Sequence, residues 1–304
     1  MANQIHYIEN SHINRQQWDA CMDASVNRLI YGYSWYLDPI ATHWDALVLN
    51  DYEAIMPLTW NSKWGIRYLY QPPFTQQLGI FSPLDIPPET VELFLKELRG
   101  YFRFSEIFLN YGNIHSGVRQ HTNYMLPLNE HYEQIRRGYK SSLIKNLNRC
   151  VRFQLQYKKD LDVKTALNLY KQTYNNRTPH VKASDYLHFE SLCLSAQSKG
   201  KVLVRAALGE QEQLLAVSVL LLHHQRMYLL QSTTLPEGRK LEANHFLLDS
   251  LVREFAGTGV ILDFEGSDIP GIAYYYGTFG SVNQPYFFYR HNALPWWIKW
   301  LKGN

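Results

Sequence analysis

The chain predicts an α/β (α+β) protein of two tandem domains, each a mixed, mainly antiparallel sheet flanked by helices. Three observations carry this. At 304 residues the chain is longer than a single core of usual size encloses. One order of elements, helix, three strands, loop, helix, strand, is legible twice, weakly in the first half and clearly in the second. Between the halves, Tyr132 to Phe153 has the apolar spacing of a helix. The expected domains are residues 1–131 and 154–304, joined by a connecting basic amphipathic helix over 132–153. The similarity lies in element order, with no residue-level repeat.

In the first half, Trp18 to Val26 reads as helix or loop. Ala46 to Leu49 and Ala54 to Trp60 read as strands turned at Asn50-Asp51. Tyr68 to Tyr70 is a third strand, stopped by Pro72 and Pro73, which cannot continue a ladder. Pro88 suits the first turn of a helix to Phe102, and Val91, Phe94, Leu95 and Leu98 recur on one face. Glu106 to Asn110 is again a strand.

In the second half, Leu161 to Asn176 is helical, with Ala166, Leu169, Tyr170 and Tyr174 on one side. Ala183 to Ser198 is a second helix with Ser184 as candidate N-cap. Lys201 to Ala207, Leu214 to His223 and Met227 to Ser232 are strands. A loop leads to a helix from His245 to Phe255, a strand from Val260 to Phe264 and a last strand from Gln284 to Tyr289.

Composition excludes several classes. A 46% hydrophobic and 19% charged chain is ordinary for a globular protein. Cys21, Cys150 and Cys193 form no CxxC pair, which excludes a disulfide framework and a cysteine zinc site and fits a reducing cytoplasm. The N-terminal residues hold no apolar signal core. The longest apolar run, Leu214 to Leu222, is too short for a membrane span of about 20 residues. No GxSxG, HExxH, Walker or GxGxxG motif occurs, and the 12 histidines are scattered, so no metal site is expected. The 22 tyrosines suit either a groove for a polar ligand or the rims and strand faces of the fold.

Three constellations are candidates for chemistry. The connector carries Arg136, Arg137, Lys140, Lys145, Arg149 and Arg152 with almost no acid, either a solvated face or a site for phosphate or an RNA backbone. The loop before the His245 helix, with Gly238, Arg239 and Lys240, can offer free backbone N–H groups at a helix start, although one glycine is few for a phosphate cradle. The stretch from Leu262 ends a core strand with Asp263 and Glu265, whose alternation would turn them to opposite sides. Ser267 or Asp268 would cap a short helix at Pro270. Asp263 is read either as a buried structural acid or as a reacting one. The tail Leu294 to Asn304, with Trp296, Trp297, Trp300, Lys299 and Lys302, suits either packing on a domain or a membrane interface.

The second half resembles the FemAB-like (FemABX) transferases of the GNAT superfamily. The residues concerned are Ala243-Asn244 before an apolar helix, the strand end "LDFEGS", and the segment ending in Phe279-Gly280. The connector "YKSSLIKNLNRCVRF" and the N-terminal Pro-Leu strand and Pro-Pro turn are similar too. The resemblance implies two GNAT-like domains and transfer of an acyl or aminoacyl group, from acetyl-CoA, another acyl-CoA or aminoacyl-tRNA, to an amine. The acceptor would lie on an anionic, lipid-linked, cell-envelope or polysaccharide precursor. In tRNA-dependent members a lysine commonly precedes Phe-Gly; here Tyr275, Tyr276, Gly277 and Thr278 stand there, and the tRNA-binding coiled-coil insertion is absent. Both departures weigh toward lipid- or polysaccharide-linked transfer.

The resulting expectations are specific. Tyr276 would protonate the leaving group, with Glu265 or Asp263 as base or amine binder. Gln231, Thr233, Gly238, Arg239, Lys240 and Asn244 would bind the donor, and Arg137, Lys140, Arg149 and Arg177 the acceptor's anionic part. The expected location is cytoplasmic, with membrane association at the inner face through the tail. The rival expectation is a GNAT-like module without activity that binds an anionic glycolipid or a protein.

Overall fold

The computed structural model describes residues 4–174, 181–265 and 268–295. Arg177, Ser267 and the tail from Trp296 lie outside the described residues. The expected α/β class is observed as two seven-stranded mixed sheets flanked by helices. The chain divides into two compact units, residues 1–121 with 285–304, and residues 122–284.

The first unit contains β1 (Ile5–Ile8), α1 (Arg15–Ala24), α2 (Ser34–Ile40), β2 (His43–Leu49), β3 (Ala54–Lys63), β4 (Ile66–Leu69), α3 (Pro88–Tyr101), β5 (Phe104–Leu109) and β6 (Arg119–His121). Its α3 is amphipathic as its spacing predicts: Val91, Phe94, Leu95 and Leu98 are all fully buried and pack on Leu47, Met56 and Ile107 of the sheet. The β3–β4 hairpin closes through a two-residue turn. Lys63 pairs with Ile66, and Trp64 and Gly65 both have positive φ, 52° and 75°. That is a type I′ geometry, in which a bulky residue such as Trp64 costs roughly 1 kcal/mol of backbone strain.

The second unit contains β7 (Tyr124–Pro127), α4 (Tyr132–Arg137), α5 (Ser141–Cys150), β8 (Gln156–Lys158), α6 (Val163–Tyr174), α7 (Ala183–Ser198), β9 (Val202–Leu208), β10 (Leu214–His223), β11 (Arg226–Thr234), α8 (Pro236–Lys240), α9 (Ala243–Phe255), β12 (Ile261–Asp263), α10 (Pro270–Gly277) and β13 (Val282–Asn283). Its sheet runs β13-β7-β12-β11-β10-β9-β8. The β9–β10–β11 meander is antiparallel, whereas β12 lies parallel to β11. The long apolar run is β10, its centre buried on both faces, as an inner strand requires.

Several boundaries differ from expectation. The last strand, β14 (Tyr286–Asn292), pairs with β5 and β6 and completes the first sheet, β1-β2-β3-β4-β5-β14-β6. Residues 285 onward therefore leave the expected second domain, and β7 with the connector enters the second unit. Strand pairing between distant segments is invisible to local periodicity. The connector is not one helix. It breaks at Gly138, because the N–H of Lys140 donates to the carbonyl of Thr278 (2.8 Å) and so leaves the helical ladder. Gly280 makes this approach possible; a Cβ there would lie 2.7 Å from the carbonyl oxygen of Gly138. At the start of helix α7 the N–H of Lys182 donates to Asp185 Oδ2 (2.7 Å), and Ser184 is not the cap.

Gly238 is also explained by packing. A Cβ on it would stand 2.2 Å from the carbonyl oxygen of Leu215 on β10. Gly238→Ala is expected to destabilise the second unit by about 2 kcal/mol through overpacking, read as a lower denaturant midpoint at unchanged m-value.

Candidate active site

The site is built where β11 and β12 part. Their parallel pairing covers Arg226–Tyr228 against Ile261–Asp263 only, and β11 runs on to Thr234 without β12 beside it. Just past the last pair, β11 bulges. Val219 stands opposite Gln231 and Leu220 opposite Leu229, so Leu230 is an extra residue. A bulge leaves ladder groups unpaired and re-aims the side chains around it. The open edge of β11 therefore presents backbone N–H groups of the kind that hold a developing oxyanion.

Two polar side chains follow the bulge. Gln231 and Thr233 are buried, 4% and 1% exposed, and their Oε1 and Oγ1 atoms have no hydrogen-bond partner in the protein. Such groups normally find a partner, because desolvation without one costs about 1–3 kcal/mol. The intervening Ser232 turns to the other face, where its Oγ donates to Oδ1 of Asn244 (3.1 Å). Asn244 Nδ2 in turn donates to Tyr275 Oη (3.0 Å), tying α9 to α10.

Helix α10 supplies the tyrosines. Tyr276 stacks on the buried Phe264, ring centroids 4.7 Å apart and 16° from parallel. Burial pushes its phenol well above the ordinary range, and the charge of Glu265 adds to this, with smaller contributions from Tyr174 and Tyr170 of α6. Tyr276 thus keeps its proton at neutral pH and is suited to donate it. Burial likewise raises Tyr275, which packs edge-on against the His245 ring at 4.9 Å. Tyr275 was not singled out from sequence; its only signal was one helical step of separation from Tyr276.

The two acids part company. Asp263 is fully buried; its Oδ2 accepts from Arg226 Nε (2.9 Å) and Nη2 (2.7 Å), and its Oδ1 from the N–H of Glu265 (3.0 Å). That is a structural ion pair with no edge left for a substrate. Glu265 lies beyond the end of β12 with φ of 59°, so the expected strand alternation does not apply to it. The bond to Asp263 holds this turn, and the Glu265 charge acts on the Tyr276 phenol.

The predicted phosphate loop is corrected. Residues 236–240 form α8, Gly238 is packed against β10, Arg239 is exposed and Lys240 pairs with Glu237 at 3.3 Å. The residue at the start of α9 is Glu242, in a left-handed conformation. Its carboxylate accepts from Arg149 Nη1 (2.9 Å) and His245 Nδ1 (3.0 Å). Burial lowers His245 below its ordinary range, and Asn146 Nδ2 lies 3.2 Å from its Nε2. The two contacts define a neutral ring protonated on Nδ1. The start of α9 is thus occupied by the Glu242–Arg149–His245 cluster.

Of the predicted acceptor cations, Arg149 is taken up by Glu242, and Arg137 bonds Gln134 (3.1 Å) at the exposed end of α4. Lys140 extends over the Tyr274 ring at 5.5 Å. On the outer face of α5, Ser141, Ile144, Lys145, Asn148, Arg149 and Arg152 line an open groove of about 500 Å³. The basic stripe therefore lines a surface groove on α5.

Residues 132–275 match a family model described as an acetyltransferase (GNAT) domain. No curated protein matches the sequence. Among solved structures the chain is similar to FemX, at 11% identity and a TM-score of 0.67 over 96% of this chain and 98% of that one. It is similar to a tandem GNAT protein from the clavulanic acid biosynthesis pathway, at 11% identity and 0.53 over 96% and 99%. It is also similar to L-PGS from Bacillus licheniformis, at 11% and 0.51 over 92% of each chain. At these identities the likeness concerns the fold. By the family match, residues 132–275 carry a GNAT acetyltransferase domain, and in fold the chain is similar to FemX and to the tandem GNAT protein.

Proposed function

We propose that the second unit transfers an acyl group from an aminoacyl ester to an amine on an anionic, envelope- or lipid-linked acceptor. The observation that carries this is the Tyr276–Glu265 pair beside the parted edge of β11. The acceptor nitrogen attacks the ester carbonyl carbon and its proton passes to the Glu265 carboxylate. The carbonyl oxygen gains charge against the backbone N–H groups at the Leu230 bulge. As the new C–N bond forms and the ester C–O bond breaks, Tyr276 gives its proton to the leaving oxygen and regains one from Glu265. Burial penalises a free phenolate, so the two proton movements are concerted.

Two features favour an aminoacyl ester over a CoA thioester. Glu242, held by Arg149 and His245, occupies the start of α9 where a pyrophosphate would need free N–H groups. Gln231 Oε1 and Thr233 Oγ1 are unpartnered acceptors, which suit an acyl group carrying an ammonium and gain nothing from a plain acetyl. The groove on α5, with Lys145, Arg149 and Arg152, supports an anionic polynucleotide or polyphosphate carrier.

Thr233→Val tests the assignment without harming the fold. Valine keeps the shape and removes an unpartnered buried hydroxyl, so stability is expected to hold or rise slightly. The KM for an aminoacyl-tRNA donor is expected to rise about tenfold, the loss of one hydrogen bond to a charged group. Acetyl-CoA turned over faster than any aminoacyl-tRNA, or a T233V enzyme with unchanged KM, would overturn the donor assignment. No thermal shift with any donor would instead support a binding module.

A further inference from the structure

The unpartnered oxygens of Gln231 and Thr233 face one side of the second sheet, and the helix on that side is α6. The pleat fixes which side it is. Ser232 bonds Asn244 of α9, so its two neighbours turn away from α9. Across the ladder, Thr233 stands opposite Val217 and Gln231 opposite Val219. Helix α9 packs on the alternate residues of β10, Ala216 and Leu220. Val217 and Val219 are buried on the other face, and α6 packs across β10 and β11 there.

The end of α6 is aromatic. Tyr170 and Tyr174, one helical turn apart, are half-buried, with ring centroids 5.1 Å apart and planes tilted by 56°. Both act on the Tyr276 phenol, so they lie near the group placed to protonate the leaving oxygen. Burial, with Tyr186 and Tyr174 adding to it, pushes the Tyr170 phenol up to about 12, so it stays neutral at physiological pH. Lys171 lies 5.6 Å from the Tyr186 ring of α7, on a different side of α6 from its aromatic pair. Two tyrosine faces and two buried acceptor oxygens therefore belong to one region. Its partial charges are negative, and none of these four side chains is ionised.

We propose that Tyr170 and Tyr174 are specificity-determining residues. With Gln231 and Thr233 they recognise the free α-ammonium of the donor and reject a donor whose amine is acylated. The inference rests on the aminoacyl-ester reading above. An ammonium has three N–H donors; two can satisfy Gln231 Oε1 and Thr233 Oγ1, and its charge gains from the electron-rich faces of the rings. An N-acyl amide has one N–H and no charge, so it leaves one buried acceptor unpaired and gains little from the rings.

The test is equilibrium binding to the full chain of a stable alanyl-tRNA analogue, its amino acid joined to the terminal ribose through an amide, and of the N-acetyl form of that analogue. Wild type is expected to bind the free-amine form about tenfold or more tighter. Tyr170→Leu and Tyr174→Leu should each remove about threefold to fivefold of that preference by weakening the free-amine form alone. Tyr174→Phe keeps the ring and should keep the preference. Unchanged affinity for the N-acetyl form separates lost recognition from a damaged fold, which would weaken both. Three results would overturn the inference and leave the ester donor in place: equal binding of the two forms by wild type, an undiminished preference in both leucine variants, or a loss in Tyr174→Phe as large as in Tyr174→Leu. Acetyl-CoA bound with neither analogue bound would overturn the donor reading and the inference together.

Discussion

Tyr276→Phe is expected to lower kcat by roughly 10²- to 10³-fold, the usual worth of a positioned general acid. KM and the unfolding midpoint should change little. Phenylalanine keeps the 4.7 Å stack on Phe264, and only the hydroxyl is removed. The pH dependence has a definite sign. Burial and the Glu265 charge raise the phenol above its ordinary value of 10.0, so Tyr276 stays protonated throughout the neutral and mildly alkaline range. No loss of activity from this group is expected as pH rises toward 10. Glu265→Gln removes the proposed base and the charge that adds to the rise of Tyr276, and in the proposed relay it should lower kcat comparably without adding to the Tyr276→Phe loss. Steady-state kinetics over pH on the single and double variants check this. A Tyr276→Phe enzyme with wild-type kcat would remove Tyr276 from the chemistry.

Asp263→Ala should be the most destabilising of the substitutions considered, by about 3–5 kcal/mol. The carboxylate is fully buried, and its partner Arg226 is nearly so, at 11% side-chain exposure. Alanine strands that guanidinium against Tyr228 and Gln284, with most of its charge uncompensated. At a few degrees per kcal/mol for a unit of this size, the unfolding midpoint should fall by about 10 °C. Replacing both partners, Asp263→Leu with Arg226→Met, should recover most of the loss, because the penalty lies in the orphaned charge. Activity should remain impaired in the double variant even where stability returns. The Asp263 Oδ1 bond that sets the Glu265 turn is then missing. Denaturation midpoints alongside kcat distinguish the two effects, and a stable, inactive double variant is the expected result.

This pair explains why two neighbouring carboxylates took such different roles. From sequence, Asp263 and Glu265 were both candidates for base or amine binder, Asp263 with a structural role as its alternative. Burial decides between them: Asp263 faces Arg226 from inside the sheet, and Glu265 lies two residues past its end. The loop before α9 illustrates the same limit. Its composition resembled an anion cradle, but Glu242 rotates into the helix start and binds Arg149 from α5, 93 residues away. Gln231 and Thr233 were candidates for donor binding from their place at the end of a core strand. That they are buried without partners was not legible, because satisfaction of a hydrogen bond depends on what the fold brings near.

Local periodicity and turn chemistry determined, from the sequence alone, that this is a two-sheet α/β protein with a β-meander leading to a helix and a strand end rich in acid and tyrosine. These features depend on neighbours a few residues away: apolar spacing, proline stops and the length of an apolar run. Only the tertiary structure decided that the last strand returns to the first sheet, that the connector breaks where Lys140 bonds Thr278, and that the Tyr276 ring stacks on Phe264 just past β12. Each of these rests on a contact between segments distant in sequence, whose free energy comes from burial and hydrogen bonding, and a one-dimensional pattern does not encode which distant partner a strand edge, a backbone N–H or a carboxylate will meet.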